Sequence, residues 1–276
     1  MASDHEYVFG VNESELERLE YQHRIYADVT TRLWKHAGVV PGDTVVELGA
    51  GPGFVTGDFK AWLGDGGHVH ALDVSETYLA FNRSLNGHGR GASVGWHHGD
   101  VDTMDWAAIG VEPHSVDHVF ARWIFSFLKH PTDVVRRAFD ALRPGGSFMV
   151  IDYFNFGTVK MCPEGPAFHK AYAAMLQNWR AHGATPDIGA TLPKIMDGVG
   201  FEIERIDPLM LIARPGTELW NWPRLFFGTQ LDGLVEAGLI TDDDRAAWFE
   251  EWARLSGDPG AFFSIPGMIQ IIARKG

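Results

Sequence analysis

Between residues 40 and 155, short apolar runs rich in β-branched residues alternate with longer stretches whose apolar positions recur every three or four residues. The first kind reads as a buried strand and the second as an amphipathic helix. Strands are predicted at Val45-Val46, Val69 to Asp73, Ser93 to His98, Val116 to Ala121 and Ser147 to Tyr153. Helices are predicted from about Phe54 to Leu63, from Ser75 through Tyr78, Leu79 and Phe81, and from Pro131 through Val134, Val135, Ala138, Phe139 and Leu142. Ahead of them, Leu16, Leu19, Tyr26, Ala27, Leu33, Trp34 and Ala37 mark a long helix. A capping-box pattern at Asn12 and Glu15 opens it, and Gly38 and Pro41 close it. Such alternation belongs to an α/β domain.

Past residue 155 the pattern loosens. Two helical stretches stand apart from it, about 166–181 with Phe168, Tyr172, Met175 and Trp179 on one stripe, and about 217–255 with Trp220, Trp222, Phe226, Phe227, Trp248, Phe249 and Trp252. Apolar stripes of this kind ordinarily make core.

Composition narrows the picture. A chain of 276 residues with 45% hydrophobic and 21% charged residues can bury one full core. The formal charge of −13, with no cluster of Lys and Arg, argues against a nucleic-acid partner. The single cysteine, Cys162, excludes an internal disulfide and a cysteine-based zinc site, and fits a reducing compartment. Asp4, Glu6, Glu13 and Glu15 stand where a leader would carry basic residues, and no apolar run approaches the ~20 residues of a membrane span. A soluble, cytoplasmic protein with no membrane partner is expected. No metal is expected from the spacing of the thirteen histidines.

The densest chemical signal follows the first strand, in Val45-Val46-Glu47-Leu48-Gly49-Ala50-Gly51-Pro52-Gly53. Three glycines at alternate positions let the backbone turn sharply and approach a ligand. The helix that begins at Phe54 would aim its first N–H groups at the same place. A dinucleotide site wants G-x-G-x-x-G, but Phe54 occupies the position of the last glycine and Glu47 brings a negative charge toward a pyrophosphate. An NAD(P)-dependent oxidoreductase is therefore the less favoured reading, and a cationic ligand suits Glu47 better. Asp73, ending the second strand about twenty residues on, stands where such folds place the acid that accepts ribose hydroxyls.

The order E-x-G-x-G-x-G resembles the first motif of class I S-adenosylmethionine-dependent methyltransferases. Leu142-Arg143-Pro144-Gly145-Gly146 before the fifth strand resembles another of their motifs, so the likeness covers roughly residues 40–155. The chain is similar to bacterial small-molecule members of the ubiquinone/menaquinone-biosynthesis group. The resemblance implies a Rossmann-like seven-stranded sheet with the last strand antiparallel, helices on both faces and helical cap insertions. Leu192 to Met196 and Val199 to Phe201 then look like the last crossover helix and the start of the sixth strand, and Gly267 to Ala273 like the final strand. The implied plan has a helical lid at 1–40, a cofactor-binding core at 41–155, and the remaining strands at 156–276 with cap insertions at about 156–190 and 214–262. All are parts of one compact domain.

The implied cofactor is S-adenosyl-L-methionine, held by Glu47, Gly49, Ala50, Gly51, Gly53, Asp73, Val74, Asp100, Val101, Ala121 and Arg122. Asp100 and Val101 would meet the adenine, or Asp100 would cap the segment that follows. Arg122 would hold a carboxylate of cofactor or substrate, or pair with a nearby acid. Gln22 and Tyr26, on the polar-aromatic stretch of the first helix, would touch the amino-acid end of the cofactor, or that helix would only cover the sheet edge. The Asn/Asp-Pro-Pro-Tyr/Phe tetrapeptide of base methyltransferases is replaced by Ala121-Arg122-Trp123-Ile124, in keeping with the acidic charge.

The aromatic insertions follow strand C-termini, where open α/β sheets bind ligands, and together they are expected to roof a substrate cavity. Tyr153, Phe168, Tyr172 and Trp179 are its candidate lining. Methyl transfer from a sulfonium is an in-line displacement that needs alignment more than a catalytic side chain. Where a base helps, Asp152, Tyr153, His169 and His182 are the candidates, each with a structural alternative. The expected activity is methylation of an O, N or C atom of a small, partly hydrophobic acceptor, with a homodimer allowed. The alternative is a protein of the same fold that binds the cofactor for another reaction or for sensing.

Overall fold

The computed structural model describes residues 13–276, so Asn12 lies outside the described residues. The first helix, α1 (Glu13–Ala37), ends where Gly38 turns into the left-handed region at φ +79°. It lays Tyr26, Val29, Leu33 and Trp34 against the domain, and Trp34 stacks on Phe59 at 3.8 Å. Then come β1 (Thr44–Leu48), α2 (Phe54–Leu63), β2 (His68–Asp73), α3 (Glu76–Asn86), β3 (Ser93–His98), β4 (Val116–Arg122), α4 (Pro131–Ala141) and β5 (Leu142–Asn155). Ser75 caps α3, its hydroxyl accepting the Tyr78 N–H at 3.2 Å.

The second half contains β6 (Lys160–Cys162), α5 (Pro166–Ala181), α6 (Leu192–Val199), β7 (Phe201–Leu209) and β8 (Ile212–Ala213). After them come α7 (Glu218–Glu236), α8 (Asp242–Ser256), β9 (Phe262–Ser264) and β10 (Gly267–Lys275). The main sheet has seven strands in the order β3-β2-β1-β4-β5-β10-β7, with β10 antiparallel to both of its neighbours. Strands β1 to β5 run parallel. Successive side chains of a strand point to opposite faces, so a parallel sheet covered on both sides needs apolar residues at consecutive positions. Strand β1 supplies them: Val45 packs with α1 and α2, while Val46 and Leu48 pack with α4 and α6.

Two expectations need correction. The Arg143-Pro144-Gly145-Gly146 segment is not a turn outside the fifth strand. It lies within β5, where the register against β4 jumps from Val116↔Leu142 to His118↔Ser147 and Gly145 takes φ +80°. The stretch at 217–255 is two helices, broken at Gly238 (φ +68°) and restarted by a capping box between Thr241 and Asp244. With α5 they form a cap whose interior is aromatic, Trp252 stacking on Trp220 at 4.6 Å and on Trp248 at 5.4 Å. A three-stranded sheet, β6-β9-β8, completes the cap. Among the described residues, no helix is long and apolar enough to cross a membrane.

Candidate active site

The turn after β1 is fixed by packing as much as by backbone freedom. A Cβ on Gly49 (φ +69°) would stand 2.4 Å from Ile124 Cγ2, and one on Gly53 (φ +90°) 2.2 Å from Asn82 Cγ. Asn82 has nowhere to retreat. It is fully buried, donates to the Thr56 hydroxyl at 2.9 Å, and accepts from Asn86 Nδ2 and Trp96 Nε1. Gly53→Ala is therefore expected to cost about 2–4 kcal/mol through strain and overpacking. Urea unfolding reads this as a lower midpoint, and a midpoint within error of wild type would contradict the packing described. Gly51 differs, because a Cβ there meets nothing within 4 Å. Its face is open to a ligand.

Two carboxyl groups flank this turn. Asp73, at the end of β2, accepts the Gly51 N–H at 2.7 Å on one oxygen and the Ser75 N–H at 2.8 Å on the other. Burial pushes its pKa up, while those N–H groups pull it down. Each oxygen keeps acceptor capacity for a hydroxyl. Glu47 is buried and accepts the Thr56 hydroxyl at 2.6 Å. Burial pushes its pKa up to about 8 against the Thr56 bond and the charge of Arg122. Arg122, at the end of β4, donates to Thr30 Oγ1 at 3.1 Å and to His23 Nδ1 at 3.5 Å. His23 reaches Asp58 through Nε2 at 3.2 Å. Burial lowers the Arg122 pKa to about 10, which leaves it a cation at neutral pH.

The shift at Glu47 has a stability consequence. The folded state keeps this proton up to about pH 8, whereas the ordinary carboxyl loses it near 4.5. Folding then binds extra protons between those values, so the contribution is full below pH 4.5 and is lost as pH rises through 8. A rise from 4.5 to about 8 corresponds to at most about 5 kcal/mol. Glu47→Gln, which keeps an acceptor for Thr56, should flatten the fall of melting temperature between pH 5 and 8. Equal slopes in the two proteins would contradict a neutral buried Glu47.

Other expected cofactor residues stand as follows. Tyr26 is buried beside Arg122, meets the Trp123 ring edge-on at 5.0 Å, and has its hydroxyl pKa raised by burial. Gln22 is directed to the cap: its carbonyl accepts from Arg18 Nη1 at 2.7 Å and from Trp222 Nε1 at 2.9 Å. The Ala50 N–H donates to Leu72 O. Val74, next to Asp73, is exposed. Asp100 accepts the Asp102 N–H at 2.9 Å and is half-buried, with Val101 buried after it. Ala121 is fully buried inside β4.

Between β5 and the cap lies an apolar cavity lined by Tyr153, Tyr172, Trp179, Trp222, Phe226 and other apolar side chains. Its volume is about 10 Å³, measured as room for the centre of a water molecule, which is space for about one water. The Tyr172 hydroxyl donates to Phe156 O at 2.5 Å. Phe168 does not line the cavity but packs behind it against Tyr172, Phe227 and Phe263. Neither His169 nor His182 lines it either: His169 meets the Phe168 ring, and exposed His182 contacts Asn178 O at the end of α5. Asp152 is fully buried and accepts from Phe125 N, Ser126 Oγ and its neighbour Tyr153 N, with burial pushing its pKa up to about 6.

His114 and His118 do stand at H-x-x-x-H spacing, but across the entry to β4 and not on a helix face. His118 is held between Asp43 and Ser147, and His114 contacts Leu142 O. Sequence reasoning also overlooked His23, Thr30 and Thr56, which orient Arg122 and Glu47, and Trp222 and Phe226 as lining. The crossing of α1 over the central strands of the sheet brings the first two to β4.

The residues present fit S-adenosylmethionine: an open glycine face, a carboxylate with spare acceptor capacity, a guanidinium and a buried acid. A methyltransferase domain family matches residues 45–146. Phosphoethanolamine N-methyltransferase of Triticum aestivum is 35% identical over 107 residues, 38% of this chain and 20% of that one. The ubiquinone/menaquinone biosynthesis C-methyltransferase UbiE of Vibrio campbellii is 27% identical over 195 residues, 62% of this chain and 71% of that one. The chain thus spans a fifth of the wheat enzyme and about 70% of the Vibrio one. A putative methyltransferase structure from Bacillus halodurans shares the fold, with a TM-score of 0.58 at 19% identity over 89% of this chain and 97% of that one. On motif, sheet order and family match together, residues 45–146 are a methyltransferase domain, and the chain has the fold of the class I S-adenosylmethionine-dependent methyltransferases.

Proposed function

We propose that this protein methylates an O, N or C atom of a small, partly hydrophobic molecule held in the aromatic cavity. The observation that carries the reading is the shared edge: the glycine turn, Asp73 and Arg122 stand at strand C-termini, and Tyr153 joins that edge to the cavity. S-adenosylmethionine, when bound, supplies an electrophilic methyl group on its sulfonium. Asp73 accepts the ribose hydroxyls, Arg122 takes the carboxylate of the amino-acid end, and Glu47 faces its ammonium. An ammonium beside Glu47 favours the carboxylate, so cofactor affinity rises with pH toward 8. The cap excludes water and aligns the acceptor, which is where most of the rate would come from. Of the candidate bases, Tyr153 alone lines the cavity, and it is the group best placed to take an acceptor proton.

The relatives are named for N- and for C-methylation, so neither atom is selected by them. The test is incubation of the purified chain with S-adenosylmethionine and a panel of small phenols, amines and enols, following S-adenosylhomocysteine and a product heavier by one methylene. S-adenosylhomocysteine that forms only with an acceptor present supports methyl transfer. Tight cofactor binding without it across the panel favours the alternative of a cofactor-binding protein with other chemistry.

A further inference from the structure

Trp123, the residue just past β4, carries two unusual features. Its φ is +59°, a region that bulky residues rarely adopt and that recurs at functional sites. Apart from the edge-on Tyr26 ring at 5.0 Å, its ring is held by one weak hydrogen bond and one cation contact. The indole N–H donates to Met268 Sδ at 3.1 Å, a poor acceptor, and the Arg122 guanidinium lies over the ring at 4.6 Å. The backbone is anchored, the Trp123 N–H donating to Ile151 O at 2.9 Å, so any movement belongs to the side chain.

This half-buried ring stands between the two halves of the site. Its neighbour Ile124 covers Gly49 of the glycine turn. On the cavity side it faces Tyr153, the two rings only 18° from parallel with centroids 6.4 Å apart. That is the loose end of the range for aromatic pairs. A flat ring inserted between two others needs about 7 Å between them, one carbon contact of about 3.5 Å on each side. The cavity behind Tyr153 is too small to hold an acceptor by itself, so an acceptor needs space that something must give up.

We infer that Trp123 is a specificity-determining residue which, with Tyr153, forms a clamp that takes a flat, conjugated ring of the acceptor between the two side chains. The inference rests on the proposed function and adds to it the shape of the acceptor and the residue that selects it. Trp123 is the movable jaw and Tyr153, packed on Phe156 at 4.8 Å, is the fixed one. A puckered saturated ring of equal size forces the jaws further apart and offers neither of them a flat π face to stack on.

The test uses two probes with the same carbon skeleton, flat 2-naphthol and saturated trans-2-decalol, titrated into the full chain with S-adenosylhomocysteine present. Wild type is expected to bind 2-naphthol at least tenfold more tightly than trans-2-decalol. Trp123→Ala is expected to lose that preference, Trp123→Phe to keep most of it, and both to hold S-adenosylmethionine as wild type does. Equal affinity of wild type for the two probes, including binding of neither, overturns the clamp, as does an unchanged preference in Trp123→Ala. The wild-type comparison decides the matter even if a variant fails to fold. Failure of wild type to bind S-adenosylmethionine overturns the parent reading instead, so the two failures are told apart.

Discussion

Asp73→Ala is expected to weaken S-adenosylmethionine binding at least tenfold and to loosen the turn that binds it. The carboxylate has two jobs in one place. It accepts the Gly51 and Ser75 N–H groups at 2.7 and 2.8 Å, and it keeps acceptor capacity toward the open face of Gly51. Hydrogen bonds to a charged group contribute about 1.5–3 kcal/mol, and tenfold in affinity is about 1.4 kcal/mol. Loss of the ribose contact alone therefore accounts for the affinity change. The two orphaned N–H groups add a stability loss of roughly 2–6 kcal/mol, because each buried unpaired donor costs about 1–3 kcal/mol. Asp73→Asn separates the two effects, since its single amide oxygen can serve one N–H but not both. Calorimetric titration and urea unfolding of both variants check this. A folded Asp73→Ala protein with wild-type affinity would remove Asp73 from the cofactor site.

The second large effect is expected at Trp179. The residue is buried, and its ring meets Phe127 and Phe156 at 5.7 Å and Phe226 at 6.1 Å while also lining the cavity. Trp179→Ala removes a whole indole from an aromatic cluster, and such truncations cost about 3–5 kcal/mol. The glycine turn does not share those contacts, so cofactor affinity should stay within a few-fold of wild type. The enlarged cavity should at the same time change which 2-naphthol derivatives bind. A variant as stable as wild type would show that the cap is not packed on Trp179. Lost cofactor affinity in a folded variant would show that cap and cradle are coupled through it.

The core was legible in the sequence because its constraints are local. Val45, Val46 and the glycines that follow announce a buried strand and a tight turn without reference to the rest of the chain, and Asp73 follows at a distance set by one helix and one strand. The long-range polar contacts were not legible. Gln22 sits on the polar-aromatic face of α1 with Tyr26, yet its partners are Arg18 on the same helix and Trp222, 200 residues away. No local pattern distinguishes a glutamine bonded to a cap helix from one aimed at a ligand. Phe168 and Trp179 share a helical stripe, but one is packed behind the cavity and the other lines it, because the stripe is wider than the cavity. The strands β6, β8 and β9 are two or three residues long and carry too little alternation to be read.

The pairing of an open glycine turn with Asp73, Glu47 and Arg122 is tested most directly by calorimetric titration of the full chain with S-adenosylmethionine and, separately, NADPH. S-adenosylmethionine is predicted to bind one molecule per chain, in competition with S-adenosylhomocysteine and more tightly at pH 8 than at pH 6. NADPH is predicted to give no binding heat and no shift in melting temperature. Saturable binding of NADPH with none of S-adenosylmethionine would contradict the account.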